Sequence, residues 1–376
     1  MSAERIGIVG GGQLGQMLTQ AAKPLGFEVT VLEPLSNPPA VQVGAEQIQN
    51  GLQDPDALRE LAEKSDVVTW EIEHIGAQDL YDLEQGGYNI QPSPLDLMTI
   101  QDKLEQKRFL ERHGIPVAPF YQIRTEEDLQ ATINKFGPVV VKSRSGGYDG
   151  RSNLIMESPD WGKIKSFFGD AKLYAEQKIA LQKELSVLIA KGVNGQVMTY
   201  PTVETVHSNN ICDVAVMPAR VPAGVNDEAQ EVARAVADQL EGQGLFAIEM
   251  FVTRDDKIMV NEIAPRVHNS GHMTIEGSKT SQFEQHIRAV TGARLGSTES
   301  VAPAAMANIL FGPVTFEGIK RVLRQPDIHP HFYGKEPREN MPRKIGHITA
   351  LGTSANRAVE LVLNARRELT NGEKQS

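Results

Sequence analysis

The sequence predicts an α/β N-terminal domain with a parallel sheet of βαβ units, an α+β central part and a small β-rich C-terminal domain. Strand-like and helical patterns alternate in the first third, which is typical of parallel sheets. Strand-like segments with short turns dominate the middle, and short strands with many prolines follow residue 295. We therefore expect domains at 1–98, 99–295 and 296–376, with the central one divided near residue 175.

The first third is predicted to fold in the order strand, helix, strand, helix, strand. These five segments span 5–9, 14–23, 28–32, 55–63 and 66–70. Asp54 is the expected cap of the second helix, which begins at Pro55. Ligands of a parallel sheet meet the loops at the carboxyl ends of its strands, so we expect a binding site there.

The rest of the chain is predicted to contain helices and antiparallel strands. The expected helices span 99–113, 227–240 and 355–367. The expected strands span 139–142, 173–177, 185–190, 195–199 and 211–217, with a hairpin of strands at 247–252 and 257–260. Two-residue turns at Asn194-Gly195 and Asp255-Asp256 favour such hairpins.

Charge and cysteine content narrow the classes of function. The formal net charge is −10, which disfavours nucleic acids and anionic membranes as partners. The single cysteine, Cys212, excludes an intramolecular disulfide and a cage of cysteines around zinc. The apolar run at 6–10 is too short to span a membrane. We expect a cytoplasmic enzyme for small molecules, with neither a nucleic-acid nor a membrane partner.

The segment at 261–272 is the most informative stretch for function. Asn261 and Glu262 follow an apolar run and are expected at a strand end, where their oxygen atoms suit Mg²⁺. The next residues supply a guanidinium, an imidazole and a carboxamide, at Arg266, His268 and Asn269. A metal-binding acid followed by a cationic loop is typical of phosphoryl transfer. A solvated polar loop is the alternative.

A glycine loop follows the first predicted strand. Residues 10–15 read Gly-Gly-Gly-Gln-Leu-Gly and fit the dinucleotide-binding pattern, and Glu33 stands where an acid would hold a nicotinamide ribose. An NAD-dependent oxidoreductase is therefore an alternative from a different class. The backbone N–H groups of such loops also bind many other anions, so the motif alone does not distinguish a dinucleotide from another anionic ligand.

A second candidate phosphate loop follows the strand predicted at 139–142. Lys142 ends that strand, and the loop after it carries Arg144, Arg151 and paired glycines. An ammonium group at a strand end can contact a nucleotide phosphate, and a glycine-rich loop can close over the phosphate as a lid. An ordinary hairpin loop is the alternative.

Together these segments resemble the ATP-grasp enzymes, and among them the N5-carboxyaminoimidazole ribonucleotide synthetases of purine biosynthesis. The resemblance covers essentially the whole chain. Its motifs are Gly-Gly-Gln-Leu-Gly (11–15), Glu-Ile-Glu-His (71–74), Ser-Gly-Gly-Tyr-Asp-Gly-Arg (145–151), Ala-Ile-Glu-Met-Phe (247–251), the segment 261–272, and Arg-Lys-Ile-Gly-His (343–347). It implies a preATP-grasp domain at 1–98, an ATP-grasp domain at 99–295, and a C-terminal domain that completes the substrate site.

The resemblance implies an ATP site between two α+β subdomains. The residues that match the family's phosphate, lid, hinge, ribose and metal motifs are Lys103, Lys142, Gly147, Tyr148, Asp149, Gly150, Arg151, Ser152, Asn153, Glu176, Gln177, Lys178, Ile179, Glu184, His207, Asn261 and Glu262. Glu249 and Glu262 match paired carboxylates for two Mg²⁺ ions. A hairpin would bring these two carboxylates to one face.

The resemblance also implies 5-aminoimidazole ribonucleotide as the substrate. The residues expected to contact it are Gly12, Gln13, Leu14, Glu73, Tyr148, Asp149 and Arg151, with Lys335, Arg338, Arg343 and Lys344 at its phosphate. The expected catalytic residues, Arg266, His268 and Asn269, would hold bicarbonate and carboxyphosphate. Carboxyphosphate forms from ATP and bicarbonate, and the substrate's amine is then carboxylated. A homodimer is expected, since symmetric dimers are common.

Two alternatives stay open. A formate-dependent ATP-grasp enzyme for glycinamide ribonucleotide would share the N-terminal loop and the nucleotide site, but it would have a different lid and a longer chain. An NAD-dependent oxidoreductase would bind its cofactor at 10–15 and would leave Glu249, Glu262 and the lid without a role.

Overall fold

The N-terminal part folds around a parallel sheet, as the sequence predicts. The structure is a computed structural model that describes residues 4–146, 153–208, 210–310, 314–335 and 343–369. The first elements are β1 (Arg5–Val9), α1 (Gln13–Ala22), β2 (Glu28–Leu32), α2 (Pro39–Gln42), β3 (Glu46–Ile48), α3 (Pro55–Lys64), β4 (Val67–Trp70) and α4 (Ala77–Gln85). The sheet order is β3-β2-β1-β4, and every pairing in it is parallel.

Helices cover both faces of this sheet because successive strand residues point to opposite sides. Ile8 packs with Leu18 of α1 in one core cluster, whereas its neighbour Val9 packs with Leu58 of α3 in another. Asp54 caps α3 by accepting a hydrogen bond from the backbone N–H of Ala57 at 2.9 Å. The sheet is thus buried, and its functional groups lie at the ends of its strands.

A smaller antiparallel sheet follows. Its region contains α5 (Pro94–Gln101), α6 (Lys103–Arg112), β5 (Phe120–Ile123), α7 (Glu126–Phe136), β6 (Val139–Ser143), β7 (Asn153–Met156), α8 (Trp161–Phe168) and β8 (Leu173–Gln177). The sheet order is β5-β8-β6-β7. Leu129 and Ile164, from α7 and α8, pack against Val141 at its centre.

The remaining strands form one large sheet. They belong to a region with β9 (Leu181–Lys191), β10 (Val197–Thr199), β11 (Val203–Ser208), β12 (Ile211–Met217), α9 (Ala223–Gln239), β13 (Gly244–Thr253), β14 (Ile258–Ala264), α10 (Thr274–Gly277), α11 (Gln282–Val290), β15 (Ala304–Ile309), α12 (Phe316–Val322), β16 (Ile328–Phe332), β17 (Gly346–Leu351) and α13 (Ala355–Leu369). The order is β14-β13-β9-β11-β12-β15-β17-β16, and β10 pairs with β9. The C-terminal strands therefore extend the central sheet through the β12–β15 pairing.

Two local expectations are wrong. The helix predicted at 99–113 is two helices, because Asp102 adopts an extended backbone (φ −96°, ψ 102°) and caps α6. Asn261 and Glu262 do not end their strand, because β14 stays paired with β13 as far as Ala264. The predicted hairpins are confirmed, since β9–β10 and β13–β14 are antiparallel.

Within the described ranges, no helix is long and apolar enough to cross a lipid bilayer.

Candidate functional site

The β13–β14 hairpin places two carboxylates side by side. Glu249 and Glu262 are direct cross-strand partners, and the register shifts immediately after Glu249. Opposed residues of an antiparallel pair share a face, so the two side chains meet. Burial, Glu262 and Glu184 raise the pKa of Glu249 to about 7, against the influence of His207 and Lys103. This hairpin therefore concentrates negative charge in one cleft.

Two lysines, both predicted from sequence, face this charge. Lys103, at the start of α6, forms an ion pair with Glu262. Lys142, in β6, donates to the side-chain oxygen of Asn261 at 3.3 Å. Burial raises the pKa of Glu262, but Lys103, Lys142 and His268 outweigh it and bring the pKa to about 2. The cleft thus holds cations as well as carboxylates, as a site for a phosphorylated ligand and its metal requires.

Lys107 is a buried residue of this site that sequence reasoning missed. It is 1% exposed, donates to the carbonyl of Val260 at 3.1 Å, and lies 3.1 Å from Glu176 Oε2. Glu176 also pairs with Lys142. Burial raises the pKa of Glu176, but the two lysines pull it down to about 2. The sequence spacing could have indicated Lys107, because Lys103 and Lys107 are one helical turn apart and therefore share a face of the helix.

The predicted hinge connects β8 to β9. The backbone N–H groups of Gln177 and Lys178 donate to the carbonyls of Pro119 (2.8 Å) and Pro138 (2.9 Å). Lys178 is exposed, and Ile179 is half-buried. Because the Glu176 side chain turns inward, it anchors the hinge to Lys107 and Lys142.

Glu184 and His207 form a second polar pair in the same cleft. Glu184 Oε2 lies 3.1 Å from His207 Nδ1, across the neighbouring strands β9 and β11. Burial lowers the pKa of His207, but Glu184 and Glu249 outweigh it, so this pKa is raised. The structure thus brings both predicted residues to the carboxylate pair.

The loop after β14 lies beside the carboxylates. Arg266 forms an ion pair with Glu73 at 2.8 Å, and His268 Nε2 lies 3.2 Å from Glu249. His268 Nδ1 lies 2.9 Å from the Ser270 hydroxyl. Burial, Arg266 and Lys344 lower the pKa of His268 to about 3. The imidazole is therefore neutral near pH 7 and can donate one hydrogen bond while accepting another.

Asn269 is held by Asn308, a second residue that the sequence did not point to. The two carboxamides exchange hydrogen bonds in both directions, at 3.0 and 2.7 Å. Asn308 is fully buried in β15 and also donates to the carbonyl of Cys212 at 2.8 Å. The C-terminal strands therefore fix the orientation of a predicted catalytic side chain.

His272 lies away from the cleft, in the core. It is fully buried, its ring lies 4.8 Å from that of His347, and Nδ1 is 3.3 Å from the amide nitrogen of Gln282. The sequence assigned it no role, and its contacts here are those of a packing residue.

The glycine loop is already occupied by carboxylates of the chain itself. Glu71 accepts hydrogen bonds from the backbone N–H groups of Gly12 and Gly15, and Glu33 accepts one from Gly11 at 3.1 Å. The donors that would bind a dinucleotide pyrophosphate are therefore taken. This occupation of the donors argues against the NAD interpretation of the motif.

The glycine loop faces basic residues from the C-terminal part of the chain. Lys335 donates to Gln13 Oε1, and its pKa is lowered to about 8 by burial, with Arg343 and Lys344 contributing and Glu71 opposing. Leu14 is buried at the start of α1. Gln13 thus joins the loop to this basic cluster, and Glu73 joins Arg266; we call the region of these residues the second compartment.

Some predicted residues lie outside the described part of the chain. They are Gly147, Tyr148, Asp149, Gly150, Arg151, Ser152 and Arg338. Asn153, which follows the predicted lid residues in the sequence, is exposed at the start of β7.

Comparison with known proteins gives consistent results along the chain. The family model of the ribonucleotide synthetase preATP-grasp domain matches residues 3–101, that of the ATP-grasp domain matches 108–283, and that of the phosphoribosylaminoimidazole carboxylase C-terminal domain matches 304–361. The chain is 37% identical over 362 residues to N5-carboxyaminoimidazole ribonucleotide synthase of Bacillus subtilis, covering 96% of this chain and 94% of that protein.

Solved structures are similar over nearly the whole length. The N5-carboxyaminoimidazole ribonucleotide synthetase of Thermotoga maritima matches with a TM-score of 0.88 and 41% identity, covering 98% of this chain and 99% of that one. The synthase of Aspergillus clavatus, in complex with ADP and 5-aminoimidazole ribonucleotide, matches with a TM-score of 0.90 and 35% identity, covering 98% of both chains.

Replacing Glu176 tests the buried charge cluster. Glu176→Gln leaves Lys107 buried without its countercharge, so we expect a loss of about 3 kcal/mol or more in the free energy of unfolding. Because the pKa of Glu176 is lowered from 4.5 to about 2, this difference should be complete above pH 4.5 and shrink as the pH falls towards 2. Urea denaturation across this pH range measures it.

Glu60→Gln is the matched control, because Glu60 forms an exposed ion pair with Lys64. Its unfolding free energy should change by less than about 1 kcal/mol. Equal effects of the two substitutions would contradict a buried, charge-compensating role for Glu176.

Proposed function

Because the chain belongs to the N5-carboxyaminoimidazole ribonucleotide synthases of the ATP-grasp family, we propose that it carboxylates the amine of 5-aminoimidazole ribonucleotide with ATP and bicarbonate. It is an ATP-dependent carbon–nitrogen ligase of purine biosynthesis. The observation that carries the proposal is the convergence of the Glu249–Glu262 pair, Lys103, Lys142 and the loop of Arg266 and His268. The formate and NAD alternatives have no comparable support.

We propose that ATP binds between the β6–β8 sheet and the large sheet. Lys103 and Lys142 would contact its phosphates, and Glu184 with His207 would contact the ribose. The hinge residues Glu176, Gln177, Lys178 and Ile179 would contact adenine through their backbone groups, while the Glu176 side chain stays with Lys107 and Lys142. The lid residues and Asn153 would close over the phosphates.

Glu249, Glu262 and Asn261 fit Mg²⁺. Their oxygen atoms are the donors that Mg²⁺ prefers, and the raised pKa of Glu249 shows that His207 and Lys103 do not fully offset the effects of burial and of the neighbouring carboxylates. No group of three or more His, Cys, Asp or Glu side chains within the described ranges forms a metal site alone. This agrees with a site that nucleotide phosphates complete. When bound, Mg²⁺ offsets the negative charge of the phosphates and bicarbonate.

The loop after β14 would hold the oxyanions. Bicarbonate oxygen attacks the γ-phosphorus of ATP, the bond to ADP breaks, and carboxyphosphate forms. Its decomposition releases carbon dioxide and phosphate, and the substrate's amine bonds to the carbon with loss of one proton. Arg266 offers a bidentate guanidinium for these planar groups, and neutral His268 and Asn269 offer hydrogen bonds. Enclosure matters because water would hydrolyse carboxyphosphate.

The second compartment would hold the ribonucleotide. We assign its phosphate to Lys335, Arg338, Arg343 and Lys344, and its base and ribose to Glu73, the glycine loop and lid residues Tyr148, Asp149 and Arg151. Lys335 and the glycine loop already contact each other through Gln13. We also propose a homodimer, because symmetric dimers are common, and a cytoplasmic location, which suits a chain with a single cysteine.

A coupled assay of ADP formation tests the function. We expect ADP release to require Mg²⁺ and bicarbonate and to rise roughly tenfold or more when 5-aminoimidazole ribonucleotide is added, since that substrate consumes the intermediate and completes the closed site. Glycinamide ribonucleotide with formate is the control and should give no stimulation. ADP release that ignores aminoimidazole ribonucleotide would show that the substrate assignment is wrong.

Substitution of Glu262 tests the metal site. Glu262→Gln keeps the shape but removes the charge, so we expect kcat to fall by at least about a hundredfold, because a metal ion supplies several kcal/mol in such reactions. The apparent affinity for Mg²⁺ should fall as well. Steady-state kinetics at varied Mg²⁺ measures both, thermal melting checks folding, and Glu60→Gln is the control. Near-normal turnover of the Glu262→Gln variant would show that Glu262 is not a metal ligand.

A further inference from the structure

Glu71 is a buried carboxylate that the reaction steps above do not use. It follows β4, and its backbone N–H donates to Val9 at 3.1 Å, so it lies at the carboxyl end of the parallel sheet. Glu73, two residues later, reaches Arg266. The side chain of Glu71 turns instead into the glycine loop and is 8% exposed as a residue. One short segment therefore contacts both compartments of the site.

The carboxylate of Glu71 and the glycine loop fit one another closely. Oε1 accepts from the N–H of Gly12, and Oε2 accepts from that of Gly15 at 2.5 Å. A Cβ atom at Gly10 would lie 2.5 Å from Glu71 Cγ, and one at Gly12 would lie 2.8 Å from Oε1. Any larger residue at these positions would displace the carboxylate. Glu71 thus fixes the conformation of the loop.

Gln13 connects the glycine loop to the second compartment. It stands between Gly12 and Gly15 in the chain and accepts a hydrogen bond from Lys335 Nζ. The charged groups around Lys335 are Glu71 and Glu33, which favour its charged form, and Arg343 and Lys344, which oppose it. Among the acidic groups Glu71 has the larger influence, whereas burial lowers the pKa of Lys335 to about 8.

We propose that Glu71 is a positioning residue for the phosphate end of the substrate, which fixes the loop that carries Gln13 and keeps Lys335 cationic. It is not a phosphate ligand, because a carboxylate repels a phosphate and both of its oxygens already accept backbone N–H groups. This inference rests on the proposed function, since it assigns Lys335 to the substrate phosphate.

Glu71→Gln tests the proposal because its amide NH₂ would face one of the two N–H donors and the negative charge is lost. We expect KM for aminoimidazole ribonucleotide to rise about tenfold while KM for ATP changes less than about twofold, since a lost charge-assisted contact is worth about 1.4 kcal/mol or more. Steady-state kinetics with each substrate varied in turn measures both constants.

The pH profile separates a charge effect from a merely structural one. The pKa of Lys335 is lowered to about 8, so its cation is present below that pH and is lost as the pH rises through it. In the wild-type chain, kcat/KM for the ribonucleotide should therefore fall above about pH 8. Without Glu71 the cation is less favoured, so this fall should begin at a lower pH. Glu71→Asp, which retains the charge, should restore the wild-type pH profile.

Asp96→Asn is the matched control. Asp96 is also a buried carboxylate that accepts two backbone N–H bonds, from Glu241 and Gly242, but it does not face Lys335. Its substitution should lower the melting temperature without changing KM for the ribonucleotide or the pH profile. Equal behaviour of Glu71→Gln and Asp96→Asn, or an equal rise of both KM values, would reduce Glu71 to a structural residue and overturn the proposal.

Two further arms complete the test. If Glu71→Gln does not fold, Glu71→Asp is used instead. The shorter side chain of aspartate must loosen the loop, so an unchanged KM for the ribonucleotide would overturn the proposal.

Calorimetric binding of aminoimidazole ribonucleotide to the wild-type chain tests the proposed function separately from the role of Glu71. Absence of wild-type binding would overturn the proposed function, whereas normal wild-type binding with an unaffected Glu71→Gln would overturn this inference alone.

Discussion

The register of the β13–β14 hairpin is the constraint on which the site depends. It sets Glu249 directly opposite Glu262, and a slip of one residue would send one carboxylate to the other face of the sheet. Two carboxylates so close together repel one another, so the surrounding elements must supply positive charge. Lys103 from α6 does so directly, and Lys142 adds charge from the smaller sheet. The electrostatics of the cleft follow from this one pairing.

Buried partners then hold each group that faces the cleft. Glu176 forms ion pairs with Lys107 and Lys142, and Asn308 exchanges two hydrogen bonds with Asn269. Glu71 holds the glycine loop. These partners come from different parts of the chain, so the three regions of the protein build one site together. Such support fixes the functional groups before a ligand arrives, which is how preorganised sites lower the cost of binding and reaction.

Patterns within the sequence predicted the parts that local physics controls. The alternation of strand-like and helical segments predicted the parallel sheet, and the Asp255-Asp256 turn predicted the hairpin of the carboxylates. Long-range contacts decided the rest. Asp102, which caps α6, is also bound by Arg144, 42 positions away, and β14 continues past Glu262 because β13 pairs with it. The glycine loop binds the side chain of Glu71, a residue of the same chain, and no local pattern predicted this contact. The nucleotide and substrate roles came from family resemblance, since single acids such as Glu184 carry no local signal.

The central claim is that Glu249 and Glu262 share the metal of the bound nucleotide. The most direct measurement is a crystal structure with ADP and Mn²⁺, in which anomalous scattering locates the metal. The account predicts metal bound to carboxylate oxygens of both residues at about 2.0–2.3 Å, with Lys103 displaced towards the phosphates. Metal bound only to the ADP phosphates, with Lys103 still paired to Glu262 and His268 still beside Glu249, would contradict it.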